Sequence, residues 1–121
     1  MRLTFAWLAL LTYVPSDIEG WHVQIERAFQ QDHADTLDQV TTELRHQLYQ
    51  IERKVPPKAV EKLRRVPIWI HYNSKTPCMT YHPSRQWLEE HGYNPAMARG
   101  VEIGNAKTFL DWTASRWPCW E

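Results

Sequence analysis

From Ala34 to Lys54 the apolar residues Leu37, Val40, Leu44, Leu48 and Ile51 recur in steps of three and four, and Val55 continues the row. That spacing predicts one long amphipathic helix with a single apolar stripe. Such a helix gains most of its stability by burying the stripe, so the rest of the chain must supply a surface for it. Asp32 or Asp35 is placed to cap its start, and Pro56 and Pro57 end it. Pro57 also suits the first turn of a short second helix, "PKAVEKLRRV".

The opposing surface is read from strand-like segments. In "GWHVQIERAF", Trp21, Val23 and Ile25 alternate with His22, Gln24 and Glu26, the pattern of a half-buried strand. "VPIWIHY" is apolar with little interruption and fits a strand covered on both faces. "MTYH" and "VEIGN" read as short strands and "NSKTPC" as a loop. "PSRQWLEEHG" reads as a helix opened by Ser84 and stopped at Gly92, "YNPAMARG" as a turn, and "AKTFLDWTAS" as a last helix. The order predicts an α+β fold, a small mixed sheet packed with helices.

Composition narrows the function. The 121 residues carry no formal net charge and no long basic run, which argues against nucleic acid as the main partner. At the start, Arg2 precedes an uncharged run from Leu3 to Val14, the form of an export signal and too short to span a bilayer comfortably. With the turn-rich "PSDIEG" after it, residues 1–20 read as signal peptide and linker, and residues 21–121 as one folded domain; a buried N-terminal strand or helix is the competing reading of the run. Export implies a secreted or periplasmic protein with no stable membrane insertion once the signal is removed. Cys78 and Cys119 are two in number, which permits one disulfide in an oxidising compartment; unpaired buried thiols remain the alternative.

Catalytic motifs are sparse. None of the six histidines forms an i, i+4 pair, and neither HExxH nor HxxEH occurs. Glu43 and His46 make one E-x-x-H on the long helix, off its apolar stripe and so turned to solvent. Glu89 and Glu90 are helix neighbours that diverge by about 100°, unlike paired glycosidase carboxylates. Cys78 lies between His71 and His82 with no motif to orient them, and Ser84 reads as a cap, not a nucleophile. Trp69 and Trp87 are expected in the core.

The stretches "IEGWHV", "VPIWIHY" and above all "YHPSRQWLEEHGYNPAMARGVEIGNAKTFLDW" resemble a family of exported bacterial zincin-like metallopeptidases, from Ile18 to Trp117. The resemblance implies a peptide or protein substrate and a zinc ion, held in the family by an HExxH helix directly after the counterpart of "NAKTFLDWTASRWPCW". No such motif lies in these residues, so no metal ligand, cofactor site or catalytic residue is assigned to them. The expectation is a partial zincin-like domain, the front portion of a peptidase that is inactive by itself. From the resemblance, Val101, Glu102, Ile103, Gly104 and Asn105 are the candidate strand for pairing with substrate backbone. Two alternatives stand beside this: a complete non-catalytic exported module binding polysaccharide or protein through exposed tryptophans, and a decayed homologue without activity.

Overall fold

The computed structural model describes residues 12–115. It begins with a hairpin in which β1 (Tyr13–Ile18) runs antiparallel to β2 (Trp21–Glu26), with Ile18 opposite Trp21. The link is a two-residue turn. Glu19 and Gly20 both have positive φ, 53° and 87°, as a hairpin turn of this length demands, and the Gly20 amide donates to Asp17 Oδ1. "PSDIEG" therefore belongs to the fold and is not a linker. Its polar and proline residues are tolerated because β1 lies at the sheet margin, where Pro15 removes no interior hydrogen bond. Most of the apolar leader, Leu3 to Leu11, lies outside the described residues.

Beyond β2 come α1 (Arg27–Asp32), α2 (Ala34–Lys54) and α3 (Pro57–Leu63). The span of α2 matches its periodicity, and Leu37, Val40, Leu44 and Leu48 are buried. Its cap differs from expectation: His33 holds the position without a side-chain hydrogen bond, because α1 runs directly into α2 and neither Asp32 nor Asp35 occupies it. Next are β3 (Ile68–Ile70), β4 (Met79–His82), α4 (Arg85–Glu90), a 3₁₀ turn (Pro95–Met97), β5 (Gly100–Ile103) and α5 (Ala106–Ala114). The Ser84 hydroxyl accepts from the Trp87 amide and caps α4 as the sequence suggests.

The sheet order is β1-β2-β3-β5-β4, with β2, β3 and β5 parallel and both outer strands antiparallel. The architecture is α+β, a small mixed sheet packed with helices. One face carries the larger core, in which Val23, Ile25, Ile68, Ile70 and Ile103 meet the stripe of α2 and Phe109 of α5. The opposite face carries a smaller cluster, where Trp69 packs with Leu88 of α4 and Met97 of the 3₁₀ turn. Alternation along β3 sends Ile68 and Ile70 one way and Trp69 the other, so this short strand is covered on both sides, as "VPIWIHY" implies.

Candidate functional site

Glu102 lies on central strand β5 and is only 1% exposed. An isolated carboxylate so placed would be costly, and the surrounding chain offsets that cost with donors. Thr76 Oγ1 donates to Oε1 at 2.6 Å, Ser74 Oγ donates to Oε2 at 2.7 Å, and His82 Nε2 donates to Oε1 at 2.8 Å. His71 Nδ1 sits 2.8 Å from Oε2, out of hydrogen-bond alignment but facing the same carboxylate. Burial opposes ionisation, yet His71, Thr76, His82 and Ser74 together hold the carboxyl at about 2, well below its ordinary 4.5.

An ionised carboxylate only accepts, so the ring nitrogens facing it carry protons. His71 Nε2 is then free to accept from the hydroxyl of Tyr13, its partner from β1. Burial pushes that hydroxyl up to about 12, with a hydrogen bond to Asn94 working against it and the charges of Glu26 and Glu102 adding to it. Tyr13 accordingly remains a donor at neutral pH. The hub joins β1, β3, β4, β5 and the loop between β3 and β4.

Gly104 makes that closure possible. A Cβ there would stand 2.1 Å from the Thr76 carbonyl oxygen, so only glycine lets the loop come down far enough for Ser74 and Thr76 to reach Glu102. The Ser74 amide donates to Gly104 O at 2.7 Å, and Asn73 bridges to Asn105.

The structure separates the roles of the candidate strand Val101–Asn105. β5 is hydrogen-bonded on one side to β3 and on the other to β4, so it offers no free backbone edge for a substrate. Val101 and Ile103 face the helix-covered core, Glu102 is the hub, and the Asn105 side chain caps α5 by accepting from the Thr108 amide. In this structure both backbone edges of Val101–Ile103 are taken up by neighbouring strands, and the sequence does not show which of two neighbouring strands lies outermost. Among the described residues, that position belongs to β4. Cys78 O accepts from Gly104 N and His82 O from Arg99 N, which turns alternate residues of β4 toward β5. Met79 and Tyr81 then present their N–H and C=O groups outward. Their side chains line an apolar groove of about 830 Å³ between β4, α2 and α5.

The remaining candidates stay apart. His46 is exposed and Glu43 half-buried, its carboxylate bonded to Gln47. Glu89 and Glu90 are exposed and pair within their helix with Arg85 and Gln86. Trp69 is buried as expected; Trp87 is 44% exposed, with one ring face stacked on His91 at 4.0 Å. Cys78 is disulfide-bonded, while Cys119, Trp117 and Trp120 lie outside the described residues.

Does this cluster suit zinc? His71, His82 and Glu102 come together, which the sequence reading missed, but the two rings point at the carboxylate and not at a shared vacant point. Among the described residues no group of three or more His, Cys, Asp or Glu side chains is arranged to hold an ion. The residues do not fit the metal. The one clue to the hub in the sequence was an acid, Glu102, between two apolar residues of a strand. Among the described residues no helix is long and apolar enough to cross a membrane. No protein-family model, no curated protein and no solved structure matches the chain.

Proposed function

We propose that this chain is the front portion of an exported zincin-like metallopeptidase, and that its own residues hold an extended peptide along the outer edge of β4. The sequence resemblance supports the family. The observation that carries the binding role is the antiparallel edge strand Met79–His82, whose outward amides are unpaired by any other strand among the described residues. Glu102 serves as a positioning residue in this reading. Through His82 and Thr76 it fixes β4 and the loop before it, so the edge is rigid before a peptide arrives. Zinc and the general base would come from an HExxH segment that these residues do not contain, and no catalytic step is assigned to them.

Titration of the isotope-labelled chain with unstructured casein fragments tests the proposal. The expected result is a shift of the Met79 and Tyr81 amide resonances. Tyr81→Pro, which removes an outward N–H while leaving the ladder to β5 intact, should abolish binding, whereas Tyr81→Phe should retain it. Shifts confined to other surfaces, or undiminished binding by the proline variant, would overturn the reading.

A further inference from the structure

The groove on the helix-covered side follows α2. Leu44, Leu48, Ile51 and Val55 line it from that helix, and Met79 and Tyr81 line it from β4. Its volume of about 830 Å³ is in the range of small-molecule sites. Part of its lining remains in water: Leu63 is 41% exposed and Tyr81 48%. Contiguous apolar surface left wet in this way marks a place where something binds.

Charge identifies the chemistry of the occupant. The lining includes one side chain that is charged at neutral pH, Lys54, which forms no ion pair among the described residues. The chain around it is basic. Residues 53–65 carry Arg53, Lys54, Lys58, Lys62, Arg64 and Arg65 against one acid, Glu61, in a protein with no formal net charge. Of these cations only Arg64 is tied to a carboxylate among the described residues, that of Glu52. Leu63 and Val66 bring this segment onto the lining, so one end of an apolar groove is flanked by cations. The negative end of the α2 dipole would oppose an anion there, and Arg53 and Lys54 in the last turn offset it. The helices bond their backbone groups internally and the sheet presents its side-chain face. A peptide laid in the groove would therefore bury amides without partners, whereas an aliphatic chain has none to satisfy. We infer that the groove binds a monomeric anionic amphiphile of the fatty-acid class, its alkyl chain on the stripe from Leu44 to Val55 and its carboxylate at Lys54. This inference does not rest on the peptide-binding reading: it concerns the side-chain face of β4, whereas peptide pairing concerns its backbone edge.

The test titrates the full chain, labelled at its methyl groups, with decanoate, decanol and decyltrimethylammonium, each below its micelle or solubility limit. Decanoate should shift the methyl resonances of Leu48, Ile51 and Val101 saturably, at one molecule per chain. Decanol, without the charge, should bind roughly fivefold more weakly, and the cationic amphiphile more weakly still. Added salt should weaken decanoate and leave decanol unchanged. Lys54 is exposed, so Lys54→Gln should fold as the parent does. It should weaken decanoate roughly threefold or more with no effect on decanol. Lys54→Glu should narrow or reverse the preference for the anion over the cation. The inference would be overturned by unsaturable binding, by shifts confined to other surfaces, or by equal affinity for the three amphiphiles. It would equally be overturned by decanoate binding that ignores Lys54→Gln, by binding to anionic lipid vesicles without binding of free decanoate, or by light scattering that shows a second copy closing the groove.

Discussion

The two faces of the sheet are held by different physics. On the helix-covered face, Leu44, Val40, Ile70 and Phe109 lose nearly all contact with water, and their contribution scales with apolar area and depends little on direction. On the other face, one carboxylate organises the ends of several elements through short directional contacts, with a small apolar cluster beside it. An apolar face tolerates small displacements. The polar hub does not, because a donor moved by an ångström leaves a buried charge without its partner. The difference teaches that the region around β4 is the more exactingly specified half of this fold, although it buries fewer apolar side chains.

Removing the hub's centre should give the largest effect. Glu102→Ala strands His82, Ser74 and Thr76 without their acceptor and removes the carboxylate that His71 faces, and a loss of about 3–5 kcal/mol is expected in urea unfolding at pH 7. Leu44→Ala on the opposite face should cost about 3 kcal/mol through transfer and cavity terms, by the same measurement. The pair separates the faces when repeated in acid. The cost of Leu44→Ala should be independent of pH. That of Glu102→Ala should shrink, because part of what it removes is then lost from the parent chain as well.

The sign of that acid effect follows from the carboxyl's folded-state value. It is depressed from 4.5 to about 2, so the native state releases the proton more readily than the unfolded chain. The hub's stabilisation is complete above the unfolded value and is lost as pH falls toward 2. Between pH 5 and pH 3 the unaltered chain should therefore lose about 2 kcal/mol that the Glu102→Ala chain does not. Equal acid sensitivity of the two chains would show that the carboxyl does not distinguish the faces in this way.

What could be read in advance was local. The stripe of α2, the alternation of β2, the stop at Pro56 and Pro57 and the cap at Ser84 each depend on residues a few positions apart, and each stands in the structure where the spacing put it. The start of α2 was misjudged because a preceding helix, not an aspartate side chain, leads into it.

The hub was out of reach for a related reason. Tyr13, His71, His82 and Glu102 are scattered over ninety positions of chain, and only the pairing of β1 with β2, β2 with β3, β3 with β5 and β5 with β4 carries them to one face. A shift of one residue in any register would send a side chain to the opposite side. By itself the sequence determined which segments could become helices and strands and which face of each had to be buried, because hydrophobic periodicity is a local property. Tertiary structure alone decided that β1 belongs to the sheet, that β4 and not β5 lies outermost, and that two histidines and two hydroxyls converge on Glu102. Strand order and register are relations between distant segments, and no single segment encodes them.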